Sequence, residues 1–339
     1  MSSSELPPPP PALDASSTDA CANSLDGSYN LQWHIAAIFI IMTLSFLGTM
    51  LPVIGRKISA ARVGDLPFQC LKLLGSGVIL STAFVHMLTP AQQQLTSACL
   101  PQVFQDYGSW AGAIAIFGIL FTHFVQCVAV AAIRNKHSHA PAATTITTAN
   151  AAAPEPHAVH RNSHAHADDA HVHSLVLADA AEKTMTTYIL ELGIASHSII
   201  IGLTLGAARE EFRSLFIALC FHQFFEGLAL STVVMDADLK RRAVAIGMVI
   251  FYSFTTPFGI ALGIALSRSF NENATAALVA TGVLDALSAG ILLYDGLANI
   301  IVPHFQSKNF RGASAKGQGA QFFFLWLGAF VMALIGRWA

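Results

Sequence analysis

Long apolar segments separated by polar connections dominate the hydrophobic pattern of this chain. About 20 apolar residues, at about 1.5 Å of helix per residue, are enough to cross the hydrocarbon of a bilayer. Eight segments are of roughly this length or longer: Leu31 to Ile54, Phe68 to Leu88, Ser109 to Ile133, Met185 to Ala208, Phe212 to Met235, Ala243 to Ser267, Ala274 to Ile301 and Gln321 to Arg337. The pattern predicts an all-α fold, a polytopic membrane bundle with eight transmembrane helices.

Glycine spacing within these segments indicates how two of the helices pack. Gly202 and Gly206 in the fourth segment, and Gly259 and Gly263 in the sixth, are each four residues apart. Small residues at this spacing let two helix backbones approach closely in a membrane. We therefore expect close helix packing at both pairs.

Composition supports a membrane protein and excludes several other classes. Hydrophobic residues make up 54% of the 339 residues and charged residues 11%, whereas soluble domains have about 25% charged residues. The formal net charge is −2 and no basic tract is present, so we predict no nucleic-acid partner. The five cysteines form no CxxC pair, which argues against a thiolate zinc site.

The chain divides into four parts by composition. Residues 1–30 are rich in Ser, Pro and Asp and predict a disordered extracytosolic tail. Residues 31–133 contain the first three helices, and residues 185–339 the other five. Between them, residues 134–184 predict a disordered cytosolic loop that holds eight of the 14 histidines. Such a tract binds metal ions loosely or is simply low-complexity sequence, and we favour metal binding.

The distribution of Lys and Arg predicts the orientation in the membrane. With the N-terminus outside, thirteen basic residues fall in inward loops and four in outward ones. Because cytoplasmic loops carry an excess of Lys and Arg, both termini are predicted to be extracytosolic. Cys21 and Cys99 would then both be extracytosolic, where a disulfide is allowed but is not required by the sequence.

Polar side chains near the middle of the fourth and fifth segments are the strongest functional signal. His197 lies in the fourth segment, and His222 and Glu226 in the fifth, where their spacing of four puts them on one helix face. A glutamate at mid-depth costs on the order of 2.5–3.5 kcal/mol or more, so it should face the protein interior with a partner. Two imidazoles and a carboxylate at one depth favour a divalent cation, although hydrogen bonds between helices remain the alternative.

Other polar residues in apolar segments allow several interpretations. Asp285 and Asp295 of the seventh segment and Glu191 of the fourth either line a route toward the cytosol or pair locally. His86, near the end of the second segment, is predicted at the outer mouth.

Taken together, these motifs resemble the ZIP (Zrt/Irt-like) divalent metal-ion transporters. The shared features are HSIIIG on one helix with HQFFEG on the next, FVHML, FTTPFG, and a His-rich loop between the third and fourth helices. The resemblance covers the chain from about Leu31 to its end.

The resemblance implies a transport site between the fourth and fifth helices. Its residues would be the ligands His197, His222 and Glu226, with Ser198 and Gln223 beside them and His86 in the outer pathway. Family members with a two-metal site have further acids, but Ile201 and Thr255 or Thr256 stand at those positions here. The resemblance therefore does not imply a full two-metal centre.

The predicted function is uptake of zinc and/or ferrous iron into the cytosol by alternating access. The metal is the transported substrate, and no prosthetic group is expected. We expect the plasma membrane, with an endosomal membrane as the alternative, and leave a homodimer open. The sequence contains no HExxH motif, which argues against an intramembrane zinc hydrolase. It contains no GxxxxGK[ST] motif either, which argues against an ATP-driven pump. A metal sensor without flux is the remaining alternative.

Overall fold

The computed structural model describes residues 21, 29–59, 66–138, 165–209, 212–237, 242–267, 271 and 273–337. Eight helices within these ranges are long and apolar enough to cross a membrane. They are α1 (Leu31–Ser59), α2 (Leu66–Leu95), α3 (Trp110–Ser138), α4 (Ala165–Ala207), α5 (Phe212–Asp236), α6 (Arg242–Leu266), α7 (Thr275–Gln306) and α8 (Ala315–Ile335). No strand occurs in the described ranges, so the predicted all-α bundle is confirmed.

Helices α2 and α7 each contain a short π-helical segment. The segments are Thr82–Leu88 in α2 and Asp295–Ile301 in α7. Pro90 and Pro303 follow them closely, each at the start of the next α-helical turn. A proline lacks the N–H that continues the helix, and its ring clashes with the carbonyl four residues before it. A wider turn before the proline relieves this conflict, and His86 lies in the first of these wide turns.

The helix contacts divide the bundle into two groups of four. Helices α1, α4, α5 and α6 pack mainly on one another, and so do α2, α3, α7 and α8. We call these the first and second helix groups. They meet chiefly where α2 contacts α5 and where α4 contacts α7. This interface contains the buried polar side chains that form the candidate site.

Close packing at the predicted glycine pairs is confirmed. Gly202 and Gly206 of α4 face Gly259 and Gly263 of α6 across the first helix group. A Cβ atom added at Gly263 would lie only 2.8 Å from the Cα of Gly206. Any larger residue would push the two helices apart, so glycine holds α4 and α6 together as one unit.

Contacts at one end of the bundle show which connections share a face. A disulfide joins Cys21 to Cys99, which resolves the pairing that the sequence left open. Asn271 donates a hydrogen bond to the Cys21 carbonyl at 3.2 Å, and the Tyr29 hydroxyl donates to the Gly206 carbonyl at 2.8 Å. The N-terminal stretch, the α2–α3 and α6–α7 connections and the end of α4 therefore lie together, as alternating membrane crossings require.

The segment between α3 and α4 differs from the prediction. Residues 134–184 were predicted to be disordered, but α3 continues to Ser138 and α4 begins at Ala165, so both ends of this segment are helical. Alanine and leucine are frequent between Ala165 and Lys183, and both are strong helix formers that extend an existing helix. The rest of the predicted loop, residues 139–164, and most of the predicted tail 1–30 lie outside the described residues.

Candidate metal-ion site

The candidate site lies between α4 and α5, where the sequence predicts it. Side chains of His197 on α4 and of His222 and Glu226 on α5 are each only 1% exposed. Ser198 and Gln223, the next residues along the two helices, are 2% and 0% exposed. The membrane-spanning parts of both helices are largely apolar, and these five polar side chains are buried in the protein interior, as the cost of exposing them to lipid requires.

His222 is the centre of this cluster. Its Nε2 atom lies 3.5 Å from Oε2 of Glu226, one helix turn further along α5. Its ring centroid is 5.7 Å from that of His197 and 4.9 Å from that of His86. Three imidazoles and a carboxylate from α2, α4 and α5 thus meet around one residue.

His86 lies deeper than its predicted position at the outer mouth. Sequence placed it near the end of the second segment, but α2 continues to Leu95, nine residues or about 14 Å beyond it. The His86 Nε2 atom donates a hydrogen bond to the Met332 carbonyl of α8 at 2.8 Å. Because a carbonyl only accepts, the other ring nitrogen, Nδ1, carries the lone pair that a cation could bind.

Several potential ligand atoms of the cluster are buried without a hydrogen-bond partner. They are His197 Nε2, His222 Nδ1, both carboxylate oxygens of Glu226, both amide atoms of Gln223 and Ser198 Oγ. Buried polar atoms are nearly always hydrogen-bonded in proteins, so each exception calls for an explanation, and an ion is one. Nitrogen and oxygen donors of these types are ligands for zinc and ferrous iron.

The cluster is not a closed coordination shell. Among the residues that the structure describes, no group of three or more His, Cys, Asp or Glu side chains is arranged to hold a metal ion as it stands. His222 and Glu226 approach each other, and the Nδ1 atom of His197 faces Asp285 of α7 at 3.1 Å. Binding a cation would need rotation of side chains around His222.

The contact between Asp285 and His197 was not predicted from the sequence. Asp285 was recognised as an acid within the membrane, but its partner was not. It lies on α7 of the second helix group and is 3% exposed. The only sequence signal was an aspartate in a largely apolar segment, which indicates the depth of the side chain in the membrane but not the helix that it faces.

The other membrane acids lie apart from these contacts. Asp295 Oδ1 accepts hydrogen bonds from Asn299 at 2.6 Å and from Gln126 at 3.2 Å, while its Oδ2 is buried without one. Glu191 is 6% exposed, and its Oε1 is likewise buried without a hydrogen bond. Asp295 is therefore hydrogen-bonded locally through Oδ1. Its Oδ2 atom and the Oε1 atom of Glu191 make no hydrogen bond.

The two positions that hold acids in a two-metal pattern do not supply ligands of that kind. Thr255 donates its hydroxyl proton to the Tyr252 carbonyl at 2.8 Å, as threonines in helices commonly do. The Thr256 hydroxyl is buried without a hydrogen bond, and Ile201 is apolar. None of these three residues supplies a carboxylate.

The fold and the cluster define a class of protein, a multi-pass membrane protein of eight helices with a buried histidine–glutamate centre. Residues 31–336 match the family described as ZIP Zinc transporter, and the chain belongs to this family. It is similar to "Zinc transporter 3" of Oryza sativa subsp. japonica, with 35% identity over 96% of this chain and 94% of that protein. It is also similar to "Fe(2+) transport protein 2" of Arabidopsis thaliana, with 33% identity over 97% of this chain and 93% of that protein.

Proposed function

We propose that this chain carries a divalent cation, zinc or ferrous iron, across the membrane into the cytosol by alternating access. The observation that carries the proposal is the set of buried ligand atoms without a hydrogen bond on His197, His222 and Glu226, between α4 and α5. Relatives that cover nearly the whole chain are named as zinc and Fe(2+) transport proteins, which supports the same substrate class.

Distances within the cluster fit a single cation. Two imidazoles on one tetrahedral zinc, with Zn–N of about 2.0 Å, have ring centroids roughly 5 Å apart. The separation of 5.7 Å between His197 and His222 is close to this value. Rotation of the Glu226 carboxylate away from His222 Nε2 would add the oxygen ligand. Ser198 and Gln223 would complete the shell directly or through water, and His86 would pass the ion on from the outer side.

The two helix groups provide a basis for alternating access. His197, His222 and Glu226 belong to the first group, which glycine packing between α4 and α6 holds together. His86 and Asp285 reach the cluster from the second group. A rigid-body shift of one group against the other would open the cluster to one face at a time, as in other membrane transporters with a site near the midplane. The inward route would pass Glu191 and Asp295, whose free atoms suit a cation.

The predicted orientation identifies the face on which the cation would be released. The excess of Lys and Arg in one set of loops favours a cytosolic location for that face and an extracytosolic location for both termini. We propose the plasma membrane as the location and the bilayer and the divalent cation as the partners. The homodimer stays a prediction.

Uptake of radioactive zinc and iron by metal-starved cells that express the chain tests the proposal. We expect accumulation above that of untransformed cells, and loss of accumulation in Glu226→Ala at equal surface abundance. The matched control is Cys220→Ala on the same helix, because Cys220 is a free cysteine outside the cluster and should leave uptake unchanged. Full transport by Glu226→Ala would refute its role. Binding of metal without accumulation would favour the sensor.

A further inference from the structure

Asp285 and His197 form a buried contact between the two helix groups. The Asp285 Oδ1 atom on α7 lies 3.1 Å from the His197 Nδ1 atom on α4, with side-chain exposures of 4% and 1%. The residues are 88 positions apart in the chain. Neither side chain faces solvent, so the pair is shielded from water.

The contact determines which nitrogen of His197 can bind a cation. A carboxylate oxygen accepts a hydrogen bond from an imidazole N–H, so we assign the proton of His197 to Nδ1. The lone pair of the neutral ring then lies on Nε2, and this is the atom that is buried without a partner. Without the carboxylate, the ring could take the other tautomer or turn about its side-chain bonds.

We propose that Asp285 is a positioning residue for the metal site, which fixes the tautomer and ring orientation of His197 so that Nε2 faces the cation. The inference rests on the proposed function, since His197 is the ligand it orients. Metal-binding histidines commonly donate their second N–H to a carboxylate in this way, and losing that partner typically costs about 10–100-fold in metal affinity or activity.

Three variants test the proposal through the KM and Vmax of zinc uptake, measured per transporter at the surface. Asp285→Ala removes the acceptor, and we expect KM to rise about 10–100-fold. Asp285→Asn keeps an oxygen that accepts from Nδ1, and its KM should stay within about threefold of wild type by the same reasoning. Ser288→Ala is the matched control, because Ser288 is equally buried one turn further along α7. Its KM should not change.

The comparison between Asn and Ala separates positioning from other roles. A structural defect would lower surface abundance or Vmax in both variants without changing KM. Equal increases of KM in Asp285→Asn and Asp285→Ala would overturn the proposal, because they would show that the negative charge of Asp285, or its direct binding of the metal, is what matters. Unchanged KM in Asp285→Ala would overturn it as well. If Asp285→Ala does not reach the surface, Asp285→Ser replaces it, because its shorter side chain cannot span the distance to Nδ1.

Equilibrium binding of zinc to purified protein keeps the proposal testable if transport itself fails. Absence of uptake by the wild type would contradict the proposed function, whereas the ratio of zinc Kd values still reports on Asp285. We expect a Kd at least about tenfold weaker for Asp285→Ala and near wild type for Asp285→Asn. Identical Kd values in all three proteins would reject Asp285 as a positioning residue.

Discussion

Lys72 of α2 donates a hydrogen bond from Nζ to Oδ2 of Asp236 on α5 at a distance of 2.6 Å. The pair joins the two helix groups at the start of α2 and the end of α5, the face opposite the Cys21–Cys99 disulfide. The Lys72 side chain is 11% exposed and that of Asp236 is 42% exposed. The largely buried ammonium group of Lys72 is therefore paired with the carboxylate of Asp236, which is partly exposed to solvent.

Removing the carboxylate should destabilise the protein more than removing both charges. Asp236→Ala leaves the buried Lys72 ammonium without its partner, so we expect the free energy of unfolding to fall by about 1–3 kcal/mol. In Lys72→Met/Asp236→Ala no buried charge remains, and most of this stability should return. Thermal unfolding of the purified proteins in one detergent measures both changes. A double variant as unstable as Asp236→Ala would contradict this explanation.

Packing of α4 against α6 should depend on glycine at the contact. A side chain at Gly263 would collide with Gly206 and with the Leu203 carbonyl, so Gly263→Val should destabilise the protein by about 1–3 kcal/mol or prevent its folding. A Cβ at Gly247, earlier on the same helix, meets no atom within 4 Å. Gly247→Val is thus the control with the same change of residue. Melting temperature and yield of folded protein check the difference, and equal losses in both variants would show that helix propensity, not contact, is responsible.

Labelling of introduced cysteines tests the orientation. Gly108 lies in the α2–α3 connection, which also contains Cys99, and a Cβ at Gly108 meets no atom within 4 Å. Lys308 is exposed in the α7–α8 connection at the other face. A membrane-impermeant maleimide should label Gly108→Cys on intact cells, and Lys308→Cys only after permeabilisation, with the wild type as background. The reverse pattern would place both termini in the cytosol.

Much of the fold could be predicted because a helix that crosses the lipid bilayer must be long and apolar, and such segments can be recognised in the sequence. The eight apolar segments correspond to the eight membrane-length helices of the described ranges, and glycines at intervals of four predicted close packing at each pair, although not that α4 and α6 face each other. The spacing of His222 and Glu226 predicted one shared helix face, and their contact at 3.5 Å follows from it. These features depend on local periodicity, which a single sequence contains.

Contacts between distant helices could not be predicted in the same way. The pairing of His197 with Asp285 depends on the relative rotation of α4 and α7, which no local pattern specifies. The ring of His86, in the wide turn of α2 before Pro90, lies 4.9 Å from that of His222, and no local pattern specifies how α2 is rotated toward α5. The disulfide between Cys21 and Cys99 was allowed by topology but required the fold to bring the two residues together.

Diffraction from zinc-soaked crystals, recorded on either side of the zinc absorption edge, shows directly whether zinc binds between α4 and α5. We expect one anomalous peak among His197, His222 and Glu226, at about 2.0–2.2 Å from the nitrogen and oxygen ligands. The peak should disappear in Glu226→Ala and persist in Cys220→Ala. An anomalous peak away from these three side chains, in protein that still transports zinc, would contradict the account.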